Sequence, residues 1–233
     1  MFCFVDYRIS AEELNNLIKY DLTPIIVPKS TKVYDAINGH VDIQLNILNK
    51  EKKTLIIQKN INKDFLYFLS SNGIKYILSE KSLEKSYPGD IILNALITDK
   101  YFVHNLNFTD NNLISTQLNK KIINVSQGYT KCSILPIRNT AFITSDKGIY
   151  NALKNENIDT LLVPPGDIIL PSLNYGFIGG TGGMISEDKL GLFGELDNYL
   201  YGDEVYKFLY KYDVKPISLK KGKLIDRGSL IVL

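Results

Sequence analysis

The segment GHVD (39–42) holds a histidine and a carboxylate at a spacing that could serve one ligand. His40 and Asp42 stand two residues apart, and in an extended segment this spacing puts both side chains on the same face. A histidine and an acid that address one bound molecule require such an arrangement. The alternative is a polar turn whose groups only satisfy one another, and a single histidine does not decide between the two.

The segment GYTKCSILPI (128–137) places a thiol at the start of an apolar run. A thiolate is a strong nucleophile, and the cation of Lys131 could lower the pKa of Cys132 and favour that form. Alternatively, Cys132 is a buried core residue and Lys131 is solvated. The other cysteine is Cys3, and two cysteines without metal-ligand spacing indicate neither a disulfide framework nor a structural metal site, which is typical of a reducing compartment.

Composition excludes several classes of protein. The chain has 45% hydrophobic and 22% charged residues, which is typical of a globular protein and not of a disordered or coiled-coil chain. Its net charge is +2, and Arg8, Arg138 and Arg227 are its only arginines, so nucleic acid is not an expected partner. The N-terminal residues lack a basic leader pattern and no apolar run reaches about 18 residues, so we predict a cytoplasmic protein without a membrane span.

A repeat of strand, helix, strand, turn and strand runs through the whole chain. Each helix carries a start signal or an apolar stripe, as in the capping box of Ser10 and Glu13 and in the stripe of Val205, Phe208 and Leu209. Thr109 and Ser145 are predicted N-caps of two further helices. The first strands of the five repeats are predicted at 2–7, 54–58, 101–105, 140–145 and 190–195, and the turn-plus-strand segments at 38–48, 88–97, 127–137, 165–180 and 226–233.

Five such units must pack around a common centre, because one unit cannot bury both faces of its sheet alone. Dividing 233 residues by five gives about 47 residues per unit. We therefore predict an α/β fold, a five-bladed β/α-propeller, in one domain over residues 1–233. Its units span about 1–49, 50–98, 99–138, 139–186 and 187–233.

This organisation resembles the pentein fold of the guanidino-group-modifying enzymes, a superfamily that includes arginine deiminase, agmatine deiminase, dimethylarginine dimethylaminohydrolase and the amidinotransferases. GHVD is similar to the family's Gly-His-x-Asp segment, which implies that His40 is a general acid/base and that Asp42 binds the substrate guanidinium. The segment around Cys132 resembles the nucleophile segment, although Lys131 stands where a histidine is frequent. Asp226 in LIDRGSLIVL (224–233) matches the acid that orients the histidine, while Arg227 and Ser229 depart from the motif.

The order of these segments agrees with the family only on a closed ring. There the acid lies one unit before the histidine and the cysteine two units after it. Here His40 lies in unit 1, Cys132 in unit 3 and Asp226 in unit 5, so the resemblance implies a circular permutation. It also offers Arg8 as a clamp for a substrate carboxylate, and Asp167 and Asn174 as further groups that bind the substrate.

The glycine-rich segment GFIGGTGGM (176–184) lacks the lysine and hydroxyl residue of a phosphate-binding loop. We predict a flexible loop beside the site, acting as a lid or as a wall of the pocket.

The resemblance implies a hydrolase or transferase that attacks an amidine or guanidinium carbon through Cys132, with a small guanidino or amidine compound as partner and no metal or organic cofactor. The alternative is a catalytically silent pentein that binds a ligand or a macromolecule. The substitutions at Lys131, Asn174, Arg227 and Ser229 keep this alternative open. Oligomeric state is not predicted.

Overall fold

Five runs of apolar residues, many of them β-branched, form the central strands of five three-stranded sheets in the computed structural model, which describes residues 1–233. Such side chains favour extended backbone and fill a buried pleated surface. All five overlap the first strands predicted from the sequence, so the repeat is confirmed. The central strands are β1 (Phe2–Asp6), β4 (Thr54–Ile57), β7 (Tyr101–His104), β10 (Ala141–Thr144) and β13 (Lys189–Leu192).

Each central strand has one parallel and one antiparallel neighbour. The parallel neighbours are β2 (Thr23–Val27), β5 (Lys75–Leu78), β8 (Lys121–Asn124), β11 (Asp159–Leu162) and β14 (Lys215–Ser218). The antiparallel neighbours are β3 (Leu45–Asn49), β6 (Leu96–Ile97), β9 (Ile134–Arg138), β12 (Gly182–Met184) and β15 (Ile231–Val232). The third strand of a repeat therefore pairs with the central strand of the next one, and β15 pairs with β1, where Val232 lies opposite Cys3.

Seven α-helices are present: α1 (Ala11–Lys19), α2 (Val41–Gln44), α3 (Lys63–Ser71), α4 (Asn111–Ser115), α5 (Thr130–Ser133), α6 (Lys147–Asn155) and α7 (Gly202–Lys211). The predicted capping box is confirmed, since Ser10 accepts from the Glu13 N–H and the Glu13 carboxylate accepts from the Ser10 N–H. None of these helices is long and apolar enough to cross a membrane.

Two predicted N-caps are wrong by one residue. Asp110 caps α4 and Asp146 caps α6, because each carboxylate accepts a backbone N–H of the first turn. The preceding Thr109 hydroxyl instead contacts the ring of His104, 2.7 Å away.

The turn-plus-strand segments differ most from prediction. Residues 41–44 and 130–133 form single helical turns, so the expected extended geometry of GHVD is wrong. Long-range backbone bonds impose these turns: the Asp42 N–H donates to the Gly228 carbonyl, and the Lys131 N–H to the Asn94 carbonyl. Residues 165–180 contain a single isolated bridge, Ile169 to Ile225, in place of a full strand.

The glycine-rich segment is not the flexible loop that we predicted. Residues Ile178–Thr181 form a buried 3-10 helix, and Gly182–Met184 form strand β12. Glycine is needed at Gly180, because a Cβ there would lie 1.8 Å from Oδ1 of Asp226.

The core consists of five apolar clusters, each of which joins two sheets. One of them joins the sheet of β1 and β2 to the sheet of β4 through Phe4, Ile25 and Leu55. Another joins the sheet of β13 and β14 to that of β1 through Phe193, Leu219 and Cys3. The remaining three clusters connect the other neighbouring sheets in sequence order. Each sheet is therefore packed against its neighbours through buried apolar side chains.

Candidate active site

Three chemically reactive side chains meet in the interior of the fold. A ring nitrogen of His40, a carboxylate oxygen of Asp42 and the sulfur of Cys132 lie within 4.8 Å of one another. All three side chains are buried. His40 and Asp42 come from the start of α2 and Cys132 from α5, so two helical turns from different repeats bring them together.

Asn94 holds the two helical turns in register. Its side-chain Nδ2 donates to the Asp42 carbonyl, 3.0 Å away, and to the Cys132 sulfur, 3.2 Å away. Its Oδ1 accepts from the backbone N–H groups of Lys131 and Cys132. One buried amide therefore fixes the position of the sulfur and connects α2 to α5. No sequence motif indicates Asn94, because its partners are remote in the chain.

A second hydrogen-bond network surrounds the Asp42 carboxylate. The Ser229 hydroxyl donates to Oδ2 of Asp42 over 2.6 Å, and the Lys131 ammonium donates to the Ser229 oxygen over 2.8 Å. The thiol of Cys132 donates to the other oxygen, Oδ1, over 3.2 Å. Lys131 therefore points inward, which contradicts the alternative that its side chain is solvated. Ser229, which departs from the family motif, connects this cation to the acid.

Asp226 lies beside His40. The distance from Nε2 of His40 to Oδ1 of Asp226 is 3.8 Å, too long for a hydrogen bond, and neither ring nitrogen of His40 has a hydrogen-bond partner. Asp226 instead accepts from the backbone N–H groups of Phe177 and Gly228, at 2.8 Å and 2.9 Å. Gly228 has a φ of +67°, and a Cβ there would clash with His40. His40 and Asp226 thus lie side by side, and the ring nitrogens of His40 are free to accept or donate a proton.

Burial determines the protonation of the site residues. It lowers the pKa of His40 to about 4 and raises the pKa of Asp226 to about 6, against the opposing effect of its two backbone donors. Burial also raises the pKa of Cys132, and the charges of Asp42 and Asp226 raise it further. The pKa of Lys131 is lowered by burial. At neutral pH the site therefore holds a neutral imidazole and a protonated thiol.

A cavity of about 260 Å³ opens onto these groups. Cys132, His40 and Asp226 line its floor, and Asn174 is the other polar group of the lining besides the tyrosines. The remaining lining residues are aromatic or aliphatic: Tyr34, Ile37, Tyr129, Leu170, Leu173, Tyr175 and Phe177. Of these, Phe177 belongs to the glycine-rich segment, so that segment does supply a wall of the pocket.

The structure separates the other predicted ligand-binding residues from this floor. The guanidinium of Arg8 forms a salt bridge with Asp6 and donates to the Ala36 carbonyl at 2.9 Å, so it is not a free clamp. Asp167 is outside the cavity lining and forms a 2.6 Å salt bridge with Lys223. Asn174 does line the cavity, in an exposed part of its mouth.

The arrangement can perform nucleophilic and acid–base chemistry. Cys132 offers sulfur to the cavity, His40 offers an unpaired imidazole, and Asp226 offers a negative charge that favours a cationic ligand. The same distances would allow His40, Asp42 and Cys132 to contact one metal ion.

Two solved structures with a similar fold belong to enzyme classes that the sequence motifs resemble. An amidinotransferase of the saxitoxin biosynthetic pathway from Microseira wollei is 11% identical with a TM-score of 0.55, over 93% of this chain and 75% of that one. A dimethylarginine dimethylaminohydrolase, solved as an adduct with 4-chloro-2-hydroxymethylpyridine, is 9% identical with a TM-score of 0.52, over 94% and 92% of the two chains. At these identities the likeness is one of fold, and it confirms the resemblance to guanidino-group-modifying enzymes at that level.

No curated protein sequence matches the chain. A family model does match it, from residue 4 to residue 231. The match spans all five sheets and includes each of the site residues described above. The chain therefore belongs to the family of unknown function DUF6873.

Proposed function

We propose that this protein is a cysteine-dependent enzyme that acts on the amidine or guanidinium carbon of a small molecule. The observation that carries the proposal is the convergence of Cys132, His40 and Asp42 within 4.8 Å, with Cys132 and His40 lining a cavity. The fold of an amidinotransferase and a dimethylarginine hydrolase supports the same reaction class.

In the first half-reaction the sulfur of Cys132 attacks the amidine carbon. The thiol proton passes to the unpaired imidazole of His40 as the carbon–sulfur bond forms. The tetrahedral intermediate expels an amine, and the leaving nitrogen takes that proton from His40. An S-linked amidino enzyme and a neutral histidine remain. The substrate cation favours this step, because its positive charge offsets the effect of Asp42 and Asp226 on the thiol pKa.

In the second half-reaction a water molecule replaces the amine. It gives a proton to His40, attacks the same carbon and forms a second tetrahedral intermediate. Breaking the carbon–sulfur bond releases the product, and the proton on His40 returns to the sulfur. An amine in place of water would give amidino transfer. In this scheme the charge of Asp226, 3.8 Å from the ring, stabilises the protonated histidine, and the carboxylates of Asp226 and Asp42 together attract the substrate cation.

We also infer that the five sheets close into one propeller domain, and that the chain is a circular permutation of the family order. Two contacts support closure. Strand β15 pairs with β1, and an apolar cluster joins the sheet of β13 to the sheet of β1. On such a ring, Asp226 precedes His40 and Cys132 follows it, in the order that the family resemblance requires.

Labelling with 2-chloroacetamidine tests the proposal. This reagent is an amidine cation that loses chloride to an attacking thiolate. 2-Chloroacetamide is its neutral isostere. We expect the amidine to label Cys132 at least tenfold faster than the amide, because the site attracts a cation beside the sulfur. His40→Ala should slow the reaction, and Cys132→Ala should abolish it.

Cys3 provides an internal control for the same experiment. It is buried inside the first sheet, and burial raises the pKa of its thiol to about 12. Mass spectrometry of peptides will distinguish the two cysteines. Equal labelling of Cys3 and Cys132, or no labelling of either, would contradict an activated thiolate in the cavity.

A ligand-binding protein without turnover is the second candidate. One observation favours it: both oxygens of Asp42 already have partners, the Cys132 thiol and the Ser229 hydroxyl. In that case a simple amidine such as benzamidine should bind reversibly, measured by calorimetry, while chloroacetamidine leaves Cys132 unmodified.

A further inference from the structure

Aromatic rings form a continuous wall beside the sulfur. The rings of Tyr87 and Tyr129 have centroids 5.9 Å apart, and the centroids of Tyr129 and Phe177 are 6.0 Å apart. Tyr175 continues the row, 6.5 Å from Phe177. Three of these four rings line the cavity. Their faces offer contact to an apolar group or to a delocalised cation.

Two of the three tyrosine hydroxyls of the cavity lining, those of Tyr34 and Tyr129, already have hydrogen-bond partners. The Tyr129 hydroxyl donates to the buried carboxylate of Asp90 over 2.5 Å, and the Tyr34 hydroxyl lies 3.4 Å from the Tyr129 oxygen. These groups bind one another and Asp90. A polar tail on the ligand would therefore find no unused hydroxyl at Tyr129 or Tyr34, and the other polar side chains of the wall, Asn174 and Tyr175, are exposed at the mouth.

No lysine or arginine lines the cavity. Three cations of neighbouring segments are already engaged: Arg8 by Asp6, Arg227 by Glu13, and Lys131 by the Ser229 hydroxyl. A carboxylate carried into the cavity would lose water and gain no positive partner, which is unfavourable. The volume of about 260 Å³ is also below the roughly 300–1,000 Å³ of pockets for drug-sized ligands.

We infer that the substrate is a small amidine or guanidine whose tail is uncharged and apolar, such as an aryl or aralkyl group, and that tails carrying a carboxylate are rejected. This inference rests on the proposed function, because it assumes that the amidine carbon lies at Cys132. The cationic head then faces Asp226 at the floor, and the tail lies against Tyr129 and Phe177.

Three reagents of one shape test the inference: N-benzyl-2-chloroacetamidine and its 4-carboxybenzyl and 4-carbamoylbenzyl analogues. The rate at which each labels Cys132 is measured by mass spectrometry. We expect the carboxylate to label at least tenfold slower than the benzyl compound, and the uncharged carbamoyl analogue to stay within about threefold of it. The carbamoyl compound controls for size, since only the charge distinguishes it from the carboxylate.

The outcomes separate this inference from the proposed function. If all three reagents label Cys132 equally fast, the proposed chemistry stands and the substrate class is wrong. The same holds if the carbamoyl and carboxylate compounds are equally slow, because size would then explain the effect. If none labels Cys132 faster than Cys3, the proposed function fails and this inference fails with it.

A cation placed at the mouth gives an independent test. Leu173 lines the cavity and is 47% exposed, so Leu173→Arg adds a charge without disturbing the core. We expect this variant to narrow the ratio of benzyl to carboxybenzyl labelling rates at least threefold. Leu118→Arg is the matched control, because Leu118 is also exposed and lies outside the cavity lining. A ratio that neither variant alters would contradict the inference.

Discussion

The thiol of Cys132 donates a hydrogen bond to Oδ1 of Asp42, with 3.2 Å between sulfur and oxygen. A negative charge in this position stabilises the protonated sulfur, and together with burial it raises the pKa of Cys132. The thiol is thereby held in its protonated form, which is the weaker nucleophile. A bound cation that engages the carboxylate would remove this restraint, so reactivity depends on the ligand.

Replacing Asp42 should make the thiol more reactive toward neutral reagents. We expect Asp42→Asn to shift the pH profile of iodoacetamide alkylation at Cys132 to lower pH, because the nearby charge and the acceptor of the S–H bond are both lost. Asp167→Asn is a suitable control, since Asp167 pairs with Lys223 outside the cavity. An unchanged or upward-shifted profile in Asp42→Asn would contradict the role given to this hydrogen bond.

Removing Lys131 should destabilise the fold and slow the alkylation of the Cys132 thiol. Its ammonium reaches Asp42 through the Ser229 hydroxyl, so Lys131→Met leaves a buried acid without its cation. We expect a loss of about 2 kcal/mol in unfolding free energy, less than the roughly 3–5 kcal/mol of a fully buried pair because Lys131 is partly exposed. Urea denaturation measures this loss. The double variant Lys131→Met/Asp42→Asn should recover part of it, and strictly additive losses would show that the two groups are uncoupled.

Asn94 should matter for both stability and reactivity. Its amide binds groups of both helical turns, and Asn94→Ala would leave several of them unsatisfied in the interior. We expect a loss of about 2 kcal/mol or more in unfolding free energy, and at least a tenfold slower labelling of Cys132 by chloroacetamidine. Asn46→Ala is the matched control, because this buried amide binds the Leu93 and Ala95 carbonyls and does not contact the sulfur. It should destabilise the protein without slowing the labelling.

The histidine should give the stability of the protein a distinct pH dependence. Burial lowers the pKa of His40 to about 4 from 6.5, so the unfolded chain binds a proton there that the folded chain does not. Its contribution to stability is present above pH 6.5 and is lost as the pH falls toward 4. In Asp226 the sign is reversed, because burial raises its pKa to about 6 and a falling pH relieves the cost of its buried charge.

These opposing effects cancel partly in the wild type, so a variant is needed to separate them. As the pH falls from 7.5 to 5, we expect the unfolding free energy of His40→Gln to rise by about 2 kcal/mol relative to that of the wild type. This value follows from about 1.4 kcal/mol per pKa unit. Unfolding free energies from urea titrations at the two pH values measure the change. A difference that is the same at both pH values would show that His40 is not held neutral by burial.

The sequence predicts the elements of the fold that depend on local side-chain patterns. The central strands are continuous apolar runs such as Leu55–Ile57, and the capping box at Ser10 needs only residues three positions apart. These signals are local, so the repeat could be found without a structure. The helical turns at Val41–Gln44 and Thr130–Ser133 could not, because bonds to Gly228 and Asn94 impose them.

The same distinction between sequence signals and long-range contacts applies to the site. The motifs selected the residues that the structure brings together, namely Cys132, His40, Asp42 and Asp226. They did not indicate that Arg8 would be engaged by Asp6, or that Asp167 would be engaged by Lys223, since these pairings depend on how the loops pack. The roles assigned to these residues in a reaction remain predictions, to be tested by the experiments above.

The pairing of β15 with β1 affects how the chain folds. Strand β1, Phe2–Asp6, lacks its antiparallel neighbour until Ile231 and Val232 have been synthesised, more than 200 residues later. Pairing over such a separation is slow, because a long loop must close before any contact forms. Asp226 and Ser229 belong to the segment just before β15, so a chain that has not reached them carries Cys132, His40 and Asp42 without these two groups. Completion of the last sheet and assembly of the site would then be a single event.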